Sequence, residues 1–105
     1  MRISVSHDRG KEDAMRIVDT ATDQVLRPMF GGVLRITNVE KQWQGSRLLF
    51  SLMAGISVAK APIKGWILVT DTDITIDCDL PAFVENLLPQ SVRSNVQSAV
   101  RALLK

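Results

Sequence analysis

The chain has 105 residues, of which 46% are hydrophobic and 23% are charged. This length suits a single domain over residues 1–105, and this composition excludes an intrinsically disordered chain. The net charge is only +2, with 13 basic and 11 acidic residues scattered along the chain, which argues against a nucleic-acid-binding module with its basic residues on one face.

A strand and a helix are predicted at the start of the chain. Alternating apolar residues over residues 2–6 predict the first strand. Apolar residues at three- and four-residue spacings predict a helix over residues 11–29. Because Pro28 lies near its end, we expect the helix to stop somewhere between residues 24 and 30.

Two strands and a connection are predicted in the middle of the chain. The second strand covers residues 33–43, and Gly45 marks the turn that follows. The third strand covers residues 47–54, with apolar residues at alternate positions. Residues 55–61 contain a glycine and lack a clear alternation, so we predict either a connection or an irregular continuation of the strand there.

The most informative segment, residues 63–81, reads as a hairpin that leads into a helix. Residues 71–73 form its turn, and Pro81 suits the first position of a helix. The helix continues toward the C-terminus, and Pro89 predicts either a kink within it or a short helix followed by a longer one. Alternation assigns one buried face to Ile63, Ile67, Val69, Ile74, Ile76 and Cys78.

These elements follow the order β-α-β-β-β-β-α. Consecutive strands joined by short turns predict an antiparallel sheet, and two amphipathic helices need an apolar surface to pack on. We therefore expect an α+β fold, a two-layer sandwich with both helices on one face of the sheet.

The residues do not form a catalytic or cofactor-binding pattern. His7 is the only histidine, and four aspartates between Asp71 and Asp79 lack the spacing of a calcium loop. Cys78 reads as a small buried residue. We therefore predict no metal, no cofactor and no enzymatic activity. No apolar run reaches the ~18 residues of a membrane-spanning helix, so the expected location is the cytoplasm.

An apolar patch is predicted on the other face of the sheet. If the alternate residues point inward, large apolar side chains of the third and fourth strands point outward. Such a patch marks a partner, a homodimer interface or an apolar surface, unless residues 55–61 cover it. Its predicted residues are Trp66, Leu68, Leu49 and Met53, with Trp43 at the end of a hairpin.

Three segments together resemble the polyhydroxyalkanoic acid system protein family. Residues 7–14 resemble its opening H-x-x-G-x-E-x-A, and residues 43–50 resemble its W-x-G…L-x-F hairpin. Residues 65–81 resemble its closing G-x-I-x-V…V-x-I-x-x-D-L-P. The chain departs from the family pattern at Pro89 and at Asp8-Arg9.

The resemblance implies a small bacterial protein associated with storage-polyester metabolism, with no catalytic residues to carry over. Our first hypothesis is a non-enzymatic accessory protein that binds polyhydroxyalkanoate granules or a granule protein through the apolar patch. The helix-on-sheet layout also resembles a reduced START-like, helix-grip fold. The alternative is therefore a carrier or sensor of an acyl ligand held in a cavity lined by Phe50, Ile67, Ile76, Val84 and Val96.

Overall fold

A computed structural model describes residues 1–22, 35–56, 59–82, 86 and 91–104 of the protein. Its strands and helices follow the predicted order β-α-β-β-β-β-α. They are β1 (Arg2–Ser6), α1 (Lys11–Thr20), β2 (Arg35–Gln44), β3 (Arg47–Ile56), β4 (Ala59–Val69), β5 (Asp73–Asp79) and α2 (Val92–Leu103). The predicted helix end between residues 24 and 30 and the predicted kink at Pro89 lie outside the described residues.

The five strands form one antiparallel sheet in the order β1-β5-β4-β3-β2. Strands β2 to β5 are a meander in which each strand pairs with the next along the chain. β1 does not join β2, but pairs with β5 at the other end, with Ile3 opposite Ile76. The α+β class and the antiparallel sheet are thus confirmed.

Both helices contribute to a single core on one face of the sheet, here called the inner face. Ala14 and Val18 from α1, together with Val96 and Val100 from α2, are buried against the strands. The alternation predicted for the β4–β5 hairpin is confirmed, because all six of its inward residues are at most 1% exposed. The other fully buried strand residues include Ile3, Leu48 and Leu52.

Of the two alternatives predicted over residues 55–61, the structure shows a continuation of β3 and β4, at residues 55–56 and 59–61, while residues 57–58 lie outside the described residues. The two strands pair along this stretch, with Gly55 opposite Lys60. Glycine and proline normally interrupt a strand. Pro62 is tolerated because the β4–β5 ladder extends only as far as Lys64, so among the described strands β4 has only β3 as a partner at Pro62.

Candidate functional site

The face of the sheet opposite α1 and α2, here called the outer face, is the candidate site. Both helices pack on the inner face, so neither of them covers it. Strand register aligns its side chains in rows across the strands. The tryptophan row is Gln42, Leu49, Trp66, Asp77 and Arg2. The lysine row beside it is Glu40, Ser51, Lys64 and Asp79.

Trp66 lies at the centre of the outer face between two arginine side chains. The Cζ atoms of Arg47 and Arg2 lie 4.7 and 5.6 Å from the centre of its ring. Arg2 also donates its Nε–H to Asp77 Oδ2 over 2.8 Å. Cations within about 6 Å of an aromatic face are attracted to it. The two guanidinium groups shield part of the indole, which leaves Trp66 half-buried.

Three aliphatic side chains extend the apolar surface around Trp66. Leu49 lies directly across from Trp66 on β3, and Leu68 lies two residues farther along β4. Met53 lies opposite Pro62 on the same face. All are half-buried. The structure therefore places four of the five predicted patch residues on one face, with Met53 separated from Leu49 and Trp66 by the lysine row. We call Leu49, Met53, Trp66 and Leu68 the apolar strip.

The fifth predicted patch residue, Trp43, lies on the inner face instead. It pairs with buried Leu48, and its Nε1–H donates to Asp19 Oδ1 of α1 over 2.9 Å. This bond, with help from Lys41, lowers the pKa of the Asp19 carboxyl below its usual 3.8. The sequence feature that fixes the face of Trp43 is the two-residue turn at Gly45. This turn sets the register of β2 and β3, so that residue 43 lies opposite residue 48.

A groove crosses the outer face between the tryptophan row and the lysine row. Its volume is about 350 Å³ and it opens to solvent. Outward side chains line it on both sides: Gln42, Leu49, Glu40, Ser51 and Lys64. Lys41, Phe50 and Gly65, whose positions lie between the two rows, also line it. The sequence did not predict Gln42, Ser51 or Lys64 as site residues.

His7 closes the loop between β1 and α1 and is not a free base. Its Nε2 lies 2.9 Å from the Thr70 carbonyl oxygen, so Nε2 must carry the proton and donate it. Its Nδ1 then accepts the backbone N–H of Arg9. Because both ring nitrogens are engaged, neither is available for a metal or for proton transfer, as expected for a structural histidine.

The aspartates of the β4–β5 hairpin hold neighbouring elements in place. Asp71 accepts the backbone N–H of Lys11 at the start of α1. Asp73 accepts the Ser6 and Thr72 hydroxyls. Within the described ranges, no group of three histidine, cysteine or acidic residues is arranged to hold a metal ion.

The Cys78 thiol is buried, and we predict that it reacts much more slowly in the folded protein than in the unfolded protein. Burial raises its pKa to about 11 from 9.0. Since the thiolate is the reactive form, native protein at pH 8 should be labelled about a hundredfold more slowly than unfolded protein. The unfolded thiol ionises above pH 9 while the native thiol stays neutral, so stability should fall as the pH rises from 9 to 11.

Labelling with a chromogenic disulfide reagent, with and without urea, measures this difference. Equal rates in the two conditions would show that the thiol is accessible in the folded protein.

The residues predicted to line an internal cavity belong to the packed core. Phe50, Ile67, Ile76 and Val96 are 0–3% exposed and lie in one cluster. Val84 lies outside the described residues. This packing gives no support to the hypothesis of a ligand held inside the core. The outer face, in contrast, has a solvent-exposed groove with polar side chains along it.

Comparison with known proteins identifies one family. A family model described as "Putative polyhydroxyalkanoic acid system protein" matches residues 1–104. No curated protein and no solved structure matches the chain. Among the described residues, no helix is long and apolar enough to cross a membrane.

Proposed function

This chain belongs to the polyhydroxyalkanoic acid system protein family, and we propose that it is a non-enzymatic accessory or regulatory protein of polyhydroxyalkanoate granules. It binds the polyester surface in the cytoplasm through the apolar strip on its outer face. The family description supports the link to the polyester, and the outer face supplies a surface for contact.

The observation that carries this proposal is the position of the apolar strip. Its four side chains lie on adjacent strands of a face that neither α1 nor α2 covers. The charged residues Arg2 and Arg47 flank Trp66, and Lys64 lies between Trp66 and Met53, so charged side chains border and interrupt the strip. Apolar patches with polar rims are typical of contact surfaces.

The expected binding is weak and reversible. Burying apolar surface contributes about 25 cal/mol per Å², and association must first offset lost translational and rotational freedom. The side chains of the strip are already half-buried in the free protein, so binding can bury only the part of their apolar area that is still exposed. Reversible adsorption suits a regulatory protein that must leave the surface as the granule grows or shrinks.

The test is co-sedimentation with purified polyhydroxybutyrate granules, comparing the wild type with the double variant Trp66→Ser/Leu68→Ser. Full burial of one large apolar side chain contributes about 1.5–3 kcal/mol, and these two side chains are half-buried at the start. With about 1.4 kcal/mol per tenfold change, we expect the double variant to bind about ten- to a hundredfold more weakly.

Val39→Ser is the matched control. Val39 is 38% exposed at the β2 irregularity and lies outside the strip. The control should bind like the wild type, and circular dichroism should show that all three proteins are folded. Failure of the wild type to sediment, or equal losses in both variants, would contradict the proposal. A wild-type dimer that the double variant abolishes would assign the strip to self-association.

A further inference from the structure

We propose that the groove between the tryptophan row and the lysine row binds a short linear oligomer of a 3-hydroxyalkanoic acid with free ends. The inference rests on the proposed function, because it names a ligand for the same outer face. The oligomer lies across the strands, with its carboxylate at Lys64 on β4 and its terminal hydroxyl at Glu40 on β2. The bound oligomer contains two or three hydroxyalkanoate units.

The shape of the groove suits an extended chain that crosses the strands. Two parallel rows of side chains form its walls, and residue positions between the rows form its floor. Its volume of about 350 Å³ lies at the lower end of the range for small-molecule sites, roughly 300–1,000 Å³. Leu49 supplies an apolar wall, and Trp66 continues the same row on β4.

The hydrogen-bonding groups of the groove match those of a polyester. Each repeat unit of a hydroxyalkanoate ester offers a carbonyl acceptor and an alkyl group, but no donor. The groove presents donors on Gln42, Ser51 and Lys64. In the part of the chain that the structure describes, none of these three side chains makes a hydrogen bond or an ion pair. Their donors are therefore available to a ligand.

The repeat length of the ligand matches the spacing of the strands. An extended polypeptide advances about 3.3–3.6 Å per three backbone bonds, so an extended ester repeat of four bonds advances about 4.4–4.8 Å. Neighbouring strands lie about 4.7–4.9 Å apart. One repeat unit therefore spans one strand interval, and successive units meet the groove residues of β2, β3 and β4 in turn.

The opposite charges at the two ends of the groove, on Lys64 and Glu40, give the ligand a direction. Lys64 offers a cation to the carboxylate end, and Glu40 offers an acceptor to the hydroxyl end, the one donor that such an oligomer has. Asp79 lies opposite Lys64 on β5, but it forms no ion pair with it. The groove therefore distinguishes a free oligomer from the interior of a polymer chain, which lacks both ends.

The test is a titration of isotopically labelled protein with the linear trimer of 3-hydroxybutyrate, followed by amide NMR. We expect millimolar binding, with the largest shifts at Lys41, Phe50, Gly65 and the Trp66 indole. Lys64→Gln should weaken binding of the trimer by about threefold to tenfold. The same substitution should not affect the trimer methyl ester, because the ester has no carboxylate to lose contact with.

Lys60→Gln is the matched control, since Lys60 is an exposed lysine on the same face of β4, four residues from Lys64. It should bind the trimer like the wild type. Absence of shifts at the groove, or equal effects of the two lysine substitutions, would overturn the inference.

Granule sedimentation of the same samples separates this inference from the proposed function. Lys64→Gln should still sediment with granules, because the apolar strip is intact. Granule binding by a protein that does not respond to the trimer would refute the oligomer site alone. Trimer binding without granule binding would refute the surface role and leave a protein that detects oligomers.

Discussion

Replacement of Phe50 by alanine is expected to lower the free energy of unfolding by about 3–5 kcal/mol. The Phe50 side chain is 3% exposed within the core on the inner face. Its removal forfeits apolar burial and leaves a cavity that the paired strands can fill only partly. A domain of this size is stable by about 5–15 kcal/mol, so the loss is a large fraction of the total. Urea denaturation measures it.

Leu49→Ala is the natural comparison for Phe50→Ala. Leu49 is the adjacent residue on β3, but it points to the outer face and is only half-buried. Its truncation should therefore cost about 1 kcal/mol or less. Similar losses in the two variants would contradict the assignment of the two faces of the sheet.

Replacement of Gly65 by alanine is expected to destabilise the protein by about 1–3 kcal/mol through overcrowding. A Cβ atom at this position would lie 2.7 Å from Phe50 Cζ and 2.8 Å from Cys78 Cβ, and would also meet the backbone oxygen of Asp77. The Asp77 oxygen belongs to the β5 backbone and cannot move aside as a flexible side chain would. Chemical denaturation gives the difference from the wild type.

Lys64→Ala serves as the comparison for Gly65→Ala, since it alters the next residue at an exposed position. The Lys64→Ala substitution should change the midpoint of chemical denaturation only slightly. In the double variant Phe50→Ala/Gly65→Ala, one of the contacts is relieved, so the loss should be smaller than the sum of the two single losses. An unchanged midpoint in Gly65→Ala would mean that β4 and β5 are farther apart than the structure places them.

Hydrophobic alternation predicted the hairpin of β4 and β5 well. Ile67 and Val69 on one strand and Ile74 and Ile76 on the next are all buried, because side chains in a strand alternate strictly between two faces. The same rule places Trp66 and Leu68 on the outer face. A pattern with a period of two needs no knowledge of distant residues, so it can be recognised from the sequence alone.

The sequence is least decisive where the outcome depends on a neighbouring strand. Residues 55–61 allow either a connection or a continued strand, because Gly55 weakens a strand in isolation, and pairing between β3 and β4 decides for the strand at residues 55–56 and 59–61. The sequence places Trp43 at the end of a hairpin but leaves its face open, because that face depends on the turn at Gly45 and on pairing with Leu48. The amino-acid sequence around residues 55–61 and around Trp43 contains little information about the strand that pairs with each of them.

The groove could not be predicted from the sequence for a related reason. Gln42, Ser51 and Lys64 come from three strands and are ordinary polar residues when taken singly. Only the register of β2, β3 and β4 aligns them along one groove. A site built from rows across a sheet is therefore invisible until the pairing is known.

The position of β1 determines when the sheet can be completed during synthesis on the ribosome. β1 is made first, yet its partner β5 is the last strand to be made. The contact between the Ser4 and Thr75 hydroxyls joins residues 71 positions apart, and such distant contacts require a long loop to close. Until residue 79 has emerged, Ile3 and Val5 have no sheet to join and expose apolar surface that chaperones can bind.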